Sequence, residues 1–140
     1  MIGRLWPYFV GTVALGLDAY VIAGMLPKNA SDLGSSSGTV GLGVAAFTAA
    51  YAISGPVLAG VAGRRAARSL LLALSLFVAS NIISALATTV AVFIASRLLA
   101  GAASGVYSPL SSAVAAHSVS ADRRGRALSL ILAGLACGTV

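Results

Sequence analysis

Long apolar stretches alternate with short polar segments along the chain, and their lengths predict membrane-spanning helices. A helix rises about 1.5 Å per residue, so about 20 residues cross a hydrocarbon core about 30 Å thick. The first stretch stops at Pro27, the second stops at arginines that begin with Arg64, and a polar turn at 87–90 separates the third from the fourth. The predicted spans are residues 5–26, 40–61, 70–86 and 91–118, with a loop at 28–39.

A fifth apolar stretch, at residues 127–140, is too short to cross a membrane. About 14 residues form a helix only about 21 Å long. No polar flank or stop signal follows it in the sequence. We therefore expect the sequence to end within a helix and to be a fragment or a truncated product.

The composition is that of a protein whose solvent is lipid. Hydrophobic residues make up 59% of the 140 residues, charged residues only 9%, and the mean hydropathy is +0.99, whereas a soluble domain is about a quarter charged. The net charge of +6 comes from short basic clusters between apolar stretches, without interleaved aromatic residues. This arrangement is typical of membrane loops and argues against nucleic acid as a partner.

The sequence has no pattern typical of an enzyme. Cys137 is the single cysteine, so no intrachain disulfide is expected. No pair of His or Cys residues has metal-ligand spacing, and no nucleophile and base are arranged for catalysis. We therefore expect a protein that is not an enzyme, with no catalytic, cofactor or metal site.

The basic residues also predict the orientation of the helices. With the N-terminus in the cytoplasm, the outer loops contain one basic residue, Lys28, and Arg97 lies within a span. Basic residues concentrate in the cytoplasmic loops of membrane proteins. We therefore expect a multi-pass protein of the cell (inner) membrane with a cytoplasmic N-terminus. The arginines on the cytoplasmic side would be Arg4, Arg64, Arg65, Arg68, Arg123, Arg124 and Arg126.

Two opposite charges lie inside apolar spans, Asp18 in the first and Arg97 in the fourth. An ionisable group at membrane depth is energetically costly, so it usually faces a cavity, a partner or a transport path. In the predicted topology both lie about 9–12 Å below the outer surface, where they can share a cavity and pair directly. We expect Asp18 to be a proton- or cation-sensing site with Arg97 as its electrostatic partner. The alternative is a structural ion pair that fixes helix packing.

Small and polar residues on the spans are the remaining candidates. Gly101 with Gly105, and Gly134 with Gly138, have the spacing that lets helix backbones approach closely. Polar side chains on apolar helices are candidates for lining a cavity, and for each the alternative is an interfacial or helix–helix hydrogen bond. These residues are Tyr20, Tyr51, Asn81 and Tyr107.

Three segments resemble motifs of the major facilitator superfamily, in its drug:proton antiporter branch. Residues 16–33, GLDAYVIAGMLPKNASDL, resemble the first-helix motif. Residues 96–105, SRLLAGAASG, resemble the fourth-helix motif, which Arg97 and Gly101 fit. Residues 121–140, ADRRGRALSLILAGLACGTV, resemble the loop and the start of the fifth helix. The resemblance covers nearly the whole chain and implies a part for Arg97 in proton coupling.

One motif departs from the family pattern. In the family, the loop after the second helix contains an aspartate that helps to lock the two halves together on the cytoplasmic side. Residues 59–68 read AGVAGRRAAR here, so Gly63 stands in place of the aspartate, while Arg64 and Arg68 remain. The resemblance therefore implies an altered latch and favours the chloramphenicol-resistance and arabinose-efflux type.

The resemblance implies a fold of twelve helices in two six-helix halves, with the substrate cavity between them. Residues 1–140 would be a truncated N-terminal half of this all-α membrane fold. Its expected partners are membrane lipids, a small-molecule substrate and the missing C-terminal portion. The implied function is efflux of small molecules or drugs, as in antibiotic resistance, by alternating access, with proton-motive force as the energy source and no cofactor.

Two other interpretations stay open. A small multidrug-type transporter also has about four helices with an acid in the first and acts as a dimer, but the long fourth span and Arg97 argue against it. The second interpretation is a non-transport membrane subunit or an inactive remnant of a transporter gene. The reading frame after Val140 would distinguish a full transporter from a remnant.

Overall fold

The computed structural model describes residues 2–139, with all their side chains except those of Ile2, Arg4 and Ala59. Within this range the chain forms helices and no strands. Val140, the predicted end of the fifth helix, lies outside the described residues. So do the side chain of Arg4, which was counted on the cytoplasmic side, and that of Ala59 in the loop motif.

Residues 2–139 form six α-helices. These are α1 (Ile2–Gly24), α2 (Leu26–Asp32), α3 (Ser37–Gly63), α4 (Ala66–Ala85), α5 (Val90–His117) and α6 (Arg124–Cys137), and one turn of 3-10 helix, Ala121–Arg123, precedes α6. In this part of the chain, α1, α3, α4 and α5 are long and apolar enough to cross a membrane. The predicted all-α class, with four spanning helices and a shorter fifth apolar helix, is confirmed.

The segment predicted as a loop at 28–39 contains the short helix α2. Pro27 occupies its first turn, where a proline needs no hydrogen-bond donor and its fixed φ suits a helix. An ion pair of 2.9 Å between Lys28 and Asp32, one turn apart, gives further support. The chain then turns at Gly34, whose φ of 59° is accessible to glycine without strain.

Side-chain caps define where two of the long helices begin. The hydroxyl of Ser36 accepts a hydrogen bond from the backbone N–H of Thr39 at the start of α3. The hydroxyl of Thr89 accepts one from Val92 at the start of α5. Each cap satisfies a backbone donor that has no partner within its helix. Thr89 lies in the polar stretch at 87–90 that was predicted to form the turn.

Helix α5 is the centre of the bundle. It packs most extensively against α3, then against α4, and also against α6, whereas α3 and α4 have little direct contact. α1 packs mainly on α6 and only slightly on α5. Small residues buried on α5, such as Ala100 and Ala103, permit these close contacts. Side chains of α1, α3 and α4 thereby contact the same residue of α5, Arg97, and the candidate site lies there.

Candidate functional site

An ion pair between Asp18 on α1 and Arg97 on α5 forms the centre of the candidate site. Nη1 of Arg97 donates a hydrogen bond to Oδ1 of Asp18 at 3.1 Å, and Nη2 donates one to Oδ2 at 2.6 Å. The Arg97 side chain is 1% exposed and the Asp18 side chain 9%. The direct pairing that the sequence suggested is present, with the two-bond geometry in which a guanidinium binds a carboxylate most strongly.

Asn81 on α4 is a third member of this network. Its Oδ1 accepts a hydrogen bond from Nη1 of Arg97 at 3.0 Å, and its Nδ2 donates to the backbone carbonyl of Phe77 at 3.0 Å. Because the carbonyl can only accept, the amide group is assigned with its oxygen towards the arginine. Asn81, predicted as a cavity-lining candidate, therefore lies against Arg97 and connects it to α4.

The aromatic ring of Phe47 on α3 covers the guanidinium group. Cζ of Arg97 lies 4.8 Å from the ring centroid, within the range of a cation–π interaction. One turn earlier on α3, Gly43 leaves space for the arginine stem, since an added Cβ would lie 3.2 Å from Cγ of Arg97 and 2.6 Å from the ring of Phe93. Sequence reasoning missed Phe47 and Gly43, and their spacing of four residues on one helix face was the available signal.

A hydrogen bond between Ser84 and Ser96 joins α4 to α5 beside the ion pair. The two hydroxyl oxygens are 2.6 Å apart, and the Ser96 hydroxyl also donates to the Phe93 carbonyl at 2.6 Å. Ser96 directly precedes Arg97, so this bond restrains the rotation of α5 and hence the direction of the arginine. The sequence analysis did not identify either serine as a site residue, although hydroxyl side chains often form hydrogen bonds between membrane helices.

The two opposite charges of the site are both largely buried. Among the described residues, Nε of Arg97 is buried without a hydrogen-bond partner, while its terminal nitrogens bind Asp18 and Asn81. A buried ion pair adds little net stability because both charges lose their hydration, whereas removal of one partner leaves an uncompensated charge. Protonation of Asp18 would therefore change the attraction between α1 and α5 strongly.

Beside the ion pair lies a cavity of about 340 Å³ bordered by α1, α3, α5 and α6. Tyr20 of α1 and Tyr51 of α3, two of the predicted lining residues, border it together with Ser104 of α5. Phe47 borders it as well, so the ring that covers Arg97 also forms part of the cavity wall. Aromatic and hydroxyl groups at the wall suit an organic molecule of modest polarity.

Tyr107, also predicted to line a cavity, lies elsewhere. It is 3% exposed and belongs to the apolar core that includes Leu15 and Ala103. Its ring occupies the space above Gly11 of α1, so that a Cβ added to this glycine would overlap the tyrosine. The contact packs α5 against α1 and leaves Tyr107 outside the cavity wall.

The glycines predicted to pack helices lie at close helix contacts. Gly101 and Gly105 of α5 lie against the backbone of α3, and Gly134 and Gly138, at and just after the end of α6, lie against α1. At each of these positions an added Cβ would overlap a neighbouring atom. The close approach of α3 to α5 is what brings Phe47 onto Arg97.

The substitution Gly101→Val is expected to destabilise the bundle by about 1–3 kcal/mol or more, because the new side chain would overlap the backbone of Phe47. Thermal unfolding of the purified protein in detergent measures this loss. The matched control is Gly60→Val on α3, where nothing lies within 4 Å of an added Cβ. An equal fall in unfolding temperature for both variants would contradict the tight contact at Gly101.

Arg64 and Arg68, the remaining residues of the loop motif, are exposed where α3 meets α4. The chain has three carboxylates, and each is paired elsewhere, with Arg97, Lys28 or Arg123. Within residues 2–139, therefore, the loop arginines have no carboxylate partner. In this part of the chain, no group of His, Cys, Asp or Glu side chains lies close enough together to hold a metal ion.

Comparison with known proteins gives a consistent family assignment. The sequence profile of the Major Facilitator Superfamily matches residues 8–140. The chloramphenicol resistance protein of Streptomyces lividans is 35% identical over 132 residues, which is 94% of this chain and 34% of that protein. The uncharacterised MFS-type transporters YtbD and YfhI of Bacillus subtilis are 30% and 29% identical, over 94% and 89% of this chain and 33% and 32% of their own lengths. The chain thus spans about a third of the length of the curated relatives it matches.

Proposed function

Because the chain belongs to the Major Facilitator Superfamily, we propose that it forms part of a transporter that exports small molecules in exchange for protons by alternating access. The observation that carries this proposal is the buried ion pair of Asp18 and Arg97, which lies inside apolar helices and next to a cavity. Buried ionisable groups in membrane helices commonly belong to proton relays. The similarity to a protein named for chloramphenicol resistance supports export as the direction of transport.

The proton acts on Asp18 in this mechanism. While the carboxylate is charged, two hydrogen bonds from Arg97 hold α1 against α5, which otherwise have little contact. Protonation removes the negative charge and weakens this link, so α1 can shift relative to α5. Arg97 keeps Asn81 and Phe47 as partners when this happens, so its charge stays bound within the protein. The protonated and charged forms of Asp18 thereby favour different helix arrangements.

Phe47 connects the substrate to the proton in this mechanism. A molecule in the cavity would contact the ring of Phe47, which also covers the guanidinium of Arg97. Movement of the ring would change the stabilisation of the arginine and therefore its hold on Asp18. The two binding events would be coupled through one side chain, and such coupling is reciprocal by thermodynamic necessity.

The variant Phe47→Leu tests this connection. It keeps an apolar side chain but removes the cation–π interaction, which is worth about 0.5–2 kcal/mol. We expect the concentration of substrate that gives half-maximal proton exchange to rise by about twofold to thirtyfold, the range to which that energy corresponds. Phe77→Leu is the control, since Phe77 is a buried core residue whose hydrogen bond to Asn81 uses its backbone carbonyl, which the substitution keeps. If both variants raise the half-maximal concentration equally, Phe47 has no special role.

The cavity wall favours uncharged or weakly polar aromatic compounds as substrates. Tyr20, Tyr51 and Phe47 offer ring surfaces, and Ser104 with Thr48 offers hydroxyl groups. The carboxylate of Asp18 is already bound by Arg97 in this arrangement, so a substrate cation is not required to balance it. Chloramphenicol is the first compound to test, since a relative bears its name.

We further propose that the chain lies in the cell membrane with its N-terminus in the cytoplasm. The segment between α3 and α4 and the segment between α5 and α6, each taken with the first turn of the helix that follows, contain six of the eight arginines, and basic loops remain in the cytoplasm. The chain would work with a further segment that corresponds to the remaining two thirds of its relatives. Membrane lipids surround it, and the proton-motive force supplies the energy without a bound cofactor.

The proposed function is tested with the full reading frame that contains this chain, expressed in a bacterial strain that lacks its main drug exporters. Intracellular accumulation of chloramphenicol and of a panel of aromatic compounds is measured with and without a protonophore. At least one compound is expected to accumulate less in expressing cells, and the protonophore should remove the difference. Export that is unaffected by the protonophore, or absent for the whole panel, would contradict the proposal.

A further inference from the structure

An apolar groove runs along the outside of the bundle between α3 and α4. The two helices diverge because both pack on α5 and scarcely on each other, which leaves a space of about 270 Å³. Val61 and Ala62 form part of the α3 wall, Ser69 and Leu72 part of the α4 wall, and small residues such as Ala102 of α5 form the floor. Leu72 is 70% exposed and Val61 is 72% exposed, so the groove is open at the surface of the described bundle.

Two arginines lie at one end of this groove, Arg65 directly before α4 and Arg68 in its first turn. Arg68 precedes Leu72 by four residues, and Arg65 precedes Ser69 by four residues. Residues four positions apart share one face of a helix. Both arginines are exposed; Arg68 lies about 6 Å along the helix axis from Leu72, and Arg65 is the N-cap residue of the same helix. The positive charge is therefore aligned with the mouth of the apolar space.

Within the described part of the chain, these arginines have no carboxylate to balance them. Asp18 binds Arg97, while the other two carboxylates lie in ion pairs distant in sequence from this loop. Two exposed guanidinium groups at the boundary of an apolar groove are complementary to a ligand that carries the opposite charge at one end. A molecule with an anionic head and a long apolar tail matches both features.

We propose that this groove binds an anionic phospholipid, with the phosphate on Arg65 and Arg68 and one acyl chain between α3 and α4. A guanidinium binds a phosphate through two parallel N–H donors, which makes arginine suited to such a head group. The acyl chain would cover the wall from Arg68 to Leu76, a length of about 12 Å along the helix. This site is distinct from the Asp18–Arg97 pair and does not depend on the direction of transport.

The test is native mass spectrometry of the protein in detergent, titrated with dioleoylphosphatidylglycerol or with dioleoylphosphatidylcholine. The anionic lipid is expected to bind at least about tenfold more tightly than phosphatidylcholine. The double variant Arg65→Gln with Arg68→Gln should lower the affinity for the anionic lipid about tenfold. The control is Arg123→Gln with Arg124→Gln, which removes equal charge from the neighbouring basic loop. An unchanged affinity in the first double variant, or an equal loss in the control, would overturn the head-group assignment.

Two further measurements test the groove itself. Ala102→Leu would fill the floor and is expected to lower the affinity for the lipid while Arg65 and Arg68 are intact. A photoreactive p-benzoylphenylalanine in place of Leu72 should form adducts with phospholipid in membranes that contain the full protein. Unchanged affinity in the Ala102 variant would overturn the acyl-chain position. Adducts from position 72 to another protein segment, or to a second copy, would show that protein and not lipid covers the groove.

Discussion

Replacing Asp18 with asparagine is expected to abolish export driven by a proton gradient. The amide is close in size to the carboxylate and can still accept a hydrogen bond from Arg97, but it cannot take up a proton. The variant should therefore fold and bind substrate, yet remain unable to exchange a proton for it. In inverted vesicles with an imposed proton gradient, uptake should fall to the level of vesicles without the protein. Exchange of labelled for unlabelled substrate without a gradient should continue.

The matched control for this variant is Asp32→Asn. Asp32 is 59% exposed and pairs with Lys28 on the surface of α2, so its charge contributes little. It should leave both gradient-driven uptake and exchange unchanged. If Asp18→Asn retains gradient-driven uptake, the proton does not act on Asp18. If both uptake and exchange are lost, Asp18 has a structural or substrate-binding role instead.

Replacing Arg97 with glutamine is expected to produce the largest loss of stability in the chain. The change leaves the Asp18 carboxylate without its cation inside the bundle, and breaking a buried pair in this way costs about 3–5 kcal/mol. Phe47 and Asn81 would also lose their contacts with the guanidinium. The unfolding temperature of the purified protein, and the amount that reaches the membrane, should both fall sharply.

The double variant Asp18→Asn with Arg97→Gln separates stability from coupling. Both buried charges are then absent, so the protein should recover much of the stability that Arg97→Gln alone loses. Gradient-driven export should remain absent, because no group is left to take up the proton. Arg126→Gln, at an exposed arginine of α6, is the control and should have little effect on stability. Recovery of coupled export in the double variant would exclude this ion pair as the coupling site.

The ion pair could be predicted from the sequence because charged residues are rare within membrane spans and therefore stand out in an apolar stretch. Asp18 and Arg97 are the acidic and basic residues inside otherwise apolar spans, His117 aside, and a regular rise per residue places them at similar depth. The direct pairing followed from the cost of leaving either charge alone in lipid. Helix number and the turn at 87–90 were predictable for a similar reason, since span length is set by the thickness of the membrane.

The neighbours of the ion pair could not be predicted, because they depend on how the helices are rotated. Asn81 was identified as a polar residue on an apolar helix, but its contact with Arg97 results from the packing of α4 on α5. Gly43 is one of several glycines of α3, and the spacing of four residues between Gly43 and Phe47 does not by itself identify Arg97 as their partner, which results from the approach of α3 to α5. Tyr107 shows the same limit, since it packs on Gly11 instead of lining the cavity.

The helix α2 was missed for a different reason. Residues 28–39 are rich in Ser, Gly, Asn and Asp, a composition that favours turns. In the first part of the segment Pro27 starts a helix, and the exposed pair of Lys28 with Asp32 adds a small contribution. The core beneath it, formed by Ala30, Val40 and Phe93, holds the short helix against the ends of α3 and α5.

Proton movement during transport is the most direct test of the central claim, that Asp18 exchanges a proton while Arg97 holds its charged form. The purified full-length protein is placed in vesicles with a pH-sensitive dye inside, and its substrate is added outside without an imposed gradient. We expect a substrate-dependent change of internal pH for the native protein and none for Asp18→Asn, although that variant still exchanges labelled substrate. Equal proton movement by the two proteins would show that the exchanged proton does not bind Asp18.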